Sequence, residues 1–312
     1  MAIVRLIVRR TTPGKPAVET YTLDLAPERA TLLDALLQVQ QEQDGSLALR
    51  YNCRNVICGS CVLTVNGRPA LACQKTIAEW LVPGSDTLHI APLTNLPVIR
   101  DLVVDMENFW QGLIRVQPTV QGGTGRQLPA QRDRLQAAAN CLLCGACYGA
   151  CNSVLANSAT GGFVGPHALA KAQRLLQDNR DTAGDRRRQE YNHVDFVWGC
   201  TRCYQCNEVC PVGVQPLDRI TEVKQAVLAT PNLPESTALR HRRTLVDMVA
   251  TAGWLDESRF AAKVVGWRGW WSLVPLGLKM LQRRKLPLPW HFRPSAGKEA
   301  IARLVARWRS MY

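Results

Sequence analysis

The chain has 312 residues, 12 cysteines and 38 basic against 25 acidic side chains, a formal charge of +13. A hydrophobic share of 46% with 20% charged residues excludes a disordered chain. One cysteine per 26 residues is too sparse for a disulfide scaffold. No run of 18 apolar residues offers a helical membrane span. The stretch MAIVRLIVRR, broken by Arg5 and followed by no apolar segment, does not read as a secretory signal. The starting expectation is a soluble protein of a reduced compartment, of about two domains.

In chain order, Ile3–Val8 and Val18–Leu23 alternate apolar and polar residues across Pro13-Gly14, which predicts a β-hairpin. Thr31 stands as an N-cap before Leu32, Leu33, Ala35, Leu36 and Val39, a helical stripe. Val62–Val65 and Pro69–Cys73 flank Asn66-Gly67, the signature of a type I′ hairpin, and Thr87–Ala91 supplies a further strand. These elements make a small α+β domain. Gln117–Pro129 reads as a connecting loop, and helices are expected over 166–179, 187–198, 214–229 and 236–252.

The cysteines fall into groups. The first is Cys53-x4-Cys58-x2-Cys61 with Cys73 after eleven residues, the plant-type [2Fe–2S] spacing. Gly59 and Ser60 let the backbone approach and leave amides free to bond sulfur. The other two groups are copies of Cys-x2-Cys-x2-Cys-x3-Cys, at 141–151 and 200–210, offset by 59 residues. In such pairs the last cysteine of each run serves the other cluster. Cys141, Cys144, Cys147 and Cys210 are therefore expected to hold one [4Fe–4S] cluster, and Cys151, Cys200, Cys203 and Cys206 a second. Pro211 follows the last cysteine as the motif expects, while Asn152 takes the place of the other proline. Zinc and disulfides are the alternatives for these thiols. Neither the glycines at 122–125 nor those at 159–162 form a phosphate loop, and His89, His167, His193, His241 and His291 have no metal-spaced partner.

With the cysteines placed, residues 1 to about 230 resemble the iron–sulfur subunit of succinate dehydrogenase/fumarate reductase (respiratory complex II). The matching stretches are Cys53-Arg54, Ile57 to Cys61, Asn66-Gly67, Leu71 to Cys73, Leu96 to Met106, Phe163 to Pro166 and Asp178 to Asp181. The resemblance implies a β-grasp [2Fe–2S] ferredoxin domain at 1–105 and an all-α two-cluster domain at 106–250; beyond about residue 250 it fades, and composition marks a basic, Trp-rich helical tail at 251–312. The resemblance implies an electron relay as well. A flavoprotein subunit carrying FAD would interconvert succinate and fumarate beside the Cys53–Cys73 cluster. A membrane anchor subunit with its quinone would lie beside the Cys151/Cys200/Cys206 cluster. The location implied is peripheral, on the cytoplasmic side of a prokaryotic energy-conserving membrane. Rival relays are subunits of a glycolate-oxidase-like enzyme or a thiol-dependent fumarate reductase. A zinc-stapled scaffold is the non-redox alternative.

Three departures from the family pattern stand out. Most members have no cysteine where Cys203 stands and carry a [3Fe–4S] third centre. Cys203 completes a tetrad and predicts [4Fe–4S], as in a variant branch with unusual anchors; the alternative is [3Fe–4S] without Cys203. Ala156 and Thr201 occupy the positions of the tryptophan and histidine of quinone-reducing members, so no quinone-binding residue is assigned. Asn55 and Val56 replace an acidic residue and a glycine.

Residues 211–312 hold 17 basic and seven acidic side chains and six of the nine tryptophans. The stretch Gly266–Leu281 mixes Trp267, Trp270, Trp271 and leucines with Arg268, Lys279, Arg283, Arg284 and Lys285, and Trp290, Arg303, Arg307, Trp308 and Arg309 extend it. An interfacial helix kinked at Pro275 is expected, docking on anionic lipid or an anchor subunit; the alternative is a lid on the protein's own core. No nucleic-acid motif accompanies the charge, so no nucleic-acid partner is expected.

Overall fold

The computed structural model describes residues 1–12, 15–157, 162–283, 285 and 292–311. The Pro13-Gly14 turn, residues 159–161, Arg284, Trp290 and His291 lie outside that description, as do the side chains of Trp267, Arg268 and Trp270. The chain divides into two compact units, 1–227 and 228–312.

The first unit opens with β1 (Ala2–Thr12) and β2 (Lys15–Leu25), then α1 (Leu32–Gln38) and a π turn at Val39–Gln43. The start of α1 is fixed by a capping box: the Asp34 amide donates to the Thr31 hydroxyl (3.2 Å), and the Thr31 amide donates to the Asp34 carboxylate (2.9 Å). Next come β3 (Val62–Val65), β4 (Arg68–Leu71), α2 (Ile77–Trp80) and β5 (Thr87–Ala91). Asn66 (φ 47°) and Gly67 (φ 80°) both sit in the left-handed region, as the type I′ hairpin turn requires.

The sheet order is β2-β1-β5-β3-β4, with β1 and β5 parallel and the other neighbours antiparallel. Val4, Leu6 and Val8 from β1 and Leu88 and Ile90 from β5 bury one face against Leu32, Leu33 and Leu36 of α1. This is the β-grasp arrangement, and the chain as a whole is α+β.

A second, two-stranded sheet joins β6 (Val98–Arg100) to β7 (Val103–Val104) through Asp101, whose φ is 47°. The Asp101 carboxylate accepts from the Thr11 and Ala48 amides (3.1 and 2.9 Å) and twice from Arg10 (3.3 and 3.1 Å). Arg10 also donates to Glu19 (2.8 Å), Tyr21 (3.0 Å), Ser46 (3.0 Å) and Asp44. One buried ion pair thus ties the end of β1 to the 44–48 loop and to the 96–106 run.

The helical part follows: α3 (Glu107–Arg115), α4 (Pro129–Ala139), α5 (Ala146–Gly149), α6 (Asn152–Ala156), α7 (Pro166–Gln177), α8 (Gly184–Tyr191), α9 (Gln205–Glu208) and α10 (Pro216–Leu228). The periodicity did not predict α3 and α4, and the helix expected over 187–198 ends instead at Tyr191. Its inward face is committed to one strap: Arg187 donates to the carbonyls of Val116, Gln117 and Thr119 (3.0, 2.9 and 2.7 Å) and to Asp181 (2.9 Å), and Tyr191 donates to Val116 (3.0 Å).

The second unit contains α11 (Thr237–Ala252), α12 (Glu257–Gln282) and α13 (Lys298–Met311). The break in α12 falls at Gly266 (φ 70°, ψ 178°), and Pro275 is carried inside the helix where a kink was expected. No described helix is long and apolar enough to cross a membrane.

Burial alone would raise the pKa of Asp101, but the bonds from Arg10 and from the Ala48 and Thr11 amides outweigh it and hold the carboxylate below its ordinary range. Its stabilising contribution is therefore complete above the unfolded pKa near about 4 and is lost as pH falls through the lower folded value. Asp101→Asn is expected to cost about 3 kcal/mol near neutrality and to flatten the acid limb of stability below about pH 4, read by thermal unfolding across pH.

Candidate metal centres

The loop 53–61 is wound so that its amides face sulfur. Arg54 and Val56 (both φ 55°) and Gly59 (φ 72°) take the left-handed conformation, which is costly for a β-branched valine. In return, the amides of Asn55, Ile57 and Cys58 donate to the Cys53 sulfur (3.4, 3.4 and 3.3 Å). The Val56 amide donates to Cys73 (3.4 Å), and the Cys53 amide to Cys58 (3.5 Å). Cys73 arrives from β4, where the Ala72 amide bonds the Cys61 carbonyl (3.1 Å) and brings the Cys61 and Cys73 sulfurs within 3.4 Å. For Cys58, burial opposes ionisation, but the Ser60 hydroxyl and the loop amides bring the thiol down to about 6. Burial pushes Cys61 up to about 12. Amide donors around gathered sulfurs suit anionic thiolates bound to a cluster.

The two repeated groups line two cavities. The first is walled by Cys141, Cys144, Cys147 and Cys210. The second is walled by Cys151, Cys200, Cys203 and Cys206. Each cavity thus takes its fourth sulfur from the other run. The repeats share a backbone course: Leu143 (φ 54°) matches Arg202 (φ 58°), and Gly145 (φ 90°) matches Tyr204 (φ 73°). Burial raises the pKa of Cys141, raises Cys144 to about 11 and Cys206 to about 12, and lifts Cys147 well above its usual value, with each neighbouring thiol adding repulsion. Four thiolates cannot share so apolar a space without positive charge among them. Four thiols drawn from two crossed Cys-x2-Cys-x2-Cys-x3-Cys runs are the donor set of a polynuclear iron–sulfur centre.

Supporting bonds around the cavities were not legible in the sequence. Asn95 (φ 63°) donates through its side-chain amide to the carbonyls of Tyr148, Gly149 and Cys151 (3.1, 2.8 and 3.0 Å), and Thr94 donates to Gly149 (2.7 Å). Gln74, next to Cys73, donates to the carbonyl of Pro211, next to Cys210 (3.0 Å). The Val214 amide donates to the Cys210 sulfur (3.3 Å), and Lys224 donates to the Cys200 carbonyl (3.2 Å). Ser153 and Thr201 bond across the crossing (3.3 Å).

His167 is a core histidine on the wall of the first cavity, stacked on Phe109. Burial drives its pKa down to about 3, so the ring is neutral and Nε2–H donates to the Phe109 carbonyl (2.8 Å). A β-carbon built on Gly59 would fall 2.8 Å from Cβ of Cys144, so the first cysteine loop lies directly against the second.

Known proteins agree with this arrangement. Residues 3–111 match the 2Fe-2S iron-sulfur cluster binding domain, and residues 137–214 match the 4Fe-4S dicluster domain. The fumarate reductase iron-sulfur subunit of Mycobacterium tuberculosis is 37% identical over 217 residues, 67% of this chain and 85% of the relative. That of Haemophilus influenzae is 34% identical over 228 residues, 67% of this chain and 86% of the relative. A chain of the Mycobacterium smegmatis Sdh1 complex in the apo form shares the fold at TM-score 0.67 and 26% identity, over 74% of this chain and 99% of that one.

A thiol-bearing β-grasp domain joined to a helical part with two four-thiol cavities defines an iron–sulfur electron-transfer protein with 2Fe–2S and 4Fe–4S centres. The chain belongs to the iron–sulfur subunit family of succinate dehydrogenase and fumarate reductase, whose members are subunits of oxidoreductase complexes.

Gly59→Ala meets both a positive φ and the Cys144 β-carbon, whereas Gly67→Ala meets a positive φ with open space around it. The first substitution is expected to cost about 2 kcal/mol more than the second and to lower iron per chain. Equal unfolding temperatures and iron contents in the two variants would refute the close packing of the two loops.

Proposed function

We propose that the chain is the electron-transfer subunit of a succinate:quinone oxidoreductase. It exchanges electrons with a FAD-bearing flavoprotein subunit acting on succinate and fumarate, and with a quinone held by membrane anchor subunits. The observation that carries this reading is the gathering of all twelve cysteines into three sets of four within the unit 1–227. The relatives named fumarate reductase iron-sulfur subunit favour this complex over other flavoprotein relays.

In this reading Cys53, Cys58, Cys61 and Cys73 hold [2Fe–2S]. Cys141, Cys144, Cys147 and Cys210 hold [4Fe–4S], and Cys151, Cys200, Cys203 and Cys206 a second [4Fe–4S]. When bound, these centres supply one-electron redox chemistry. The residues of the chain set the conditions for it. The amides of the 53–58 loop stabilise negative charge on sulfur, while the apolar wall around Cys147 opposes it. Gly59 keeps the first two sulfur sets adjacent. Tyr51, Arg54 and Ile57 are exposed on the first loop and Cys203 is exposed on the third group; in this reading the former meet the flavoprotein and the latter belongs to the centre that serves the quinone. The working parts are 1–105 for the first centre, 106–250 for the other two, and 251–312 as the tail. The subunit sits peripherally on the cytoplasmic side of a prokaryotic membrane.

Two measurements test this. Succinate added to the co-purified complex should bleach the visible iron–sulfur absorption; a chain that purifies without a flavin-bearing partner, or stays oxidised, would sink the reading. Wild-type protein should carry about ten irons and show no three-iron EPR signal when oxidised, and Cys203→Ala should create that signal. A full three-iron signal in the wild type would leave Cys203 a bystander.

A further inference from the structure

The second unit carries 15 basic against five acidic side chains over residues 228–312. Three of those acids are already engaged: Glu235 by Arg243, Asp256 by Arg259 and Asp247 by Arg309. Among the described residues, no carboxylate meets Lys279, Arg283 or Lys285, and all three are exposed.

These cations close an apolar helix segment. After the break at Gly266, α12 runs on to Gln282, about 24 Å of helix at 1.5 Å per residue. Trp271, Val274, Leu278 and Leu281 fall at i, i+3, i+7 and i+10 and line one side of it, while Leu273, Leu276 and Met280 lie on the other, so the segment is apolar well beyond a single stripe. Trp271, Leu278 and Leu281 are 67%, 56% and 42% exposed, and no residue of α12 beyond Gly266 whose burial is described is buried. Lys279 projects roughly a quarter turn from Trp271, at the edge of the stripe, and Arg283 and Lys285 follow just past the end of the helix. Neither cysteine-domain match extends past residue 214, so this surface is not part of the cluster-binding machinery. The segment is too short to span a bilayer core of about 30 Å, while a tryptophan-bearing stripe edged by lysine and arginine has the composition of a helix lying in the interface.

We propose that the segment of α12 beyond Gly266 docks flat on an anionic lipid surface. Trp271, Leu278 and Leu281 enter the acyl boundary, and Lys279, Arg283 and Lys285 pair with lipid phosphates. Apolar burial gives the binding its strength, and charge makes it selective for acidic headgroups. The contact is separate from the cluster ligands, so it adds a membrane attachment that the chain itself supplies.

The purified full chain with its clusters should co-sediment with vesicles of phosphatidylglycerol and phosphatidylcholine, and far less with phosphatidylcholine alone. Raising salt from about 0.05 to about 0.5 M should release it. Leu278→Glu with Leu281→Glu should weaken binding about a hundredfold, and Lys279→Glu with Arg283→Glu about tenfold, the latter with loss of the salt dependence. Iron content and visible spectrum should be unchanged in both variants. That readout tests the cluster assignment separately, so either reading can fail alone. The proposal is overturned if the wild type ignores anionic vesicles, as a tail folded on its own chain would. It is overturned equally if both double variants bind like the wild type, or if the wild type instead forms a dimer that the leucine substitutions dissolve.

Discussion

Sulfur gathered in fours inside an apolar cavity is the constraint on which the rest of the first unit depends. A buried thiolate is costly, and a second and third beside it are costlier, as the steep rise at Cys147 among Cys144, Cys141, Cys206 and Cys210 reflects. With their pKa values raised, these thiols stay protonated and neutral until positive charge is supplied among them, so metal binding and thiol ionisation are coupled. The exchange of last cysteines adds a topological consequence. The run 141–151 cannot complete its cavity without Cys210, nor the run 200–210 without Cys151. The helices α7 and α8, which lie between the runs in sequence, are enclosed by that exchange.

The sheet domain is not an appendage to this arrangement. The Leu93 side chain occupies the space that a β-carbon on Gly149 would need, and Asn95 and Thr94 cap the carbonyls that end α5. Gln74 reaches Pro211, and Gly59 lies against Cys144. Gln74 and Gly59 each stand one residue from a cysteine of the first group and end on or beside a cysteine of another. The spacing between sulfur sets is therefore held by short, direct links, which suits a protein whose task is to keep redox centres close. Asp101, far from any sulfur, matters for the same reason: it anchors the 96–106 run from which the chain leaves the sheet domain for α3.

The second unit follows a different logic. Its charge is strongly positive and its apolar residues on α12 face outward beyond Gly266, whereas the body up to Cys210 is close to charge balance, with 21 basic and 18 acidic side chains. A core built on buried sulfur needs little surface charge to fold.

What the sequence determined by itself is whatever a short stretch decides alone. The spacing of the cysteines, the Asn66-Gly67 turn and the Thr31 N-cap are local geometry, and each is present in the fold. The helix α4 escaped notice because only Leu135 and Ala138 are buried, too few to form a stripe, and β6 and β7 are too short to show alternation. The expected helix over 187–198 stops at Tyr191 because the Trp198 indole donates to Asn192 (2.7 Å) and turns the chain back, a contact that no periodicity announces. Likewise, the break in α12 falls at Gly266, which alone there can adopt φ 70° at little cost, while Pro275 sits within the helix. The crossed sharing of sulfurs was already written in the repeated spacing; only the tertiary structure decided that Asn95 and Gln74 bind across to the 141–151 and 200–210 runs, and that the α12 stripe faces outward. Those are relations between segments distant in sequence, and the energy that sets them is burial and charge in three dimensions, which a linear pattern does not contain.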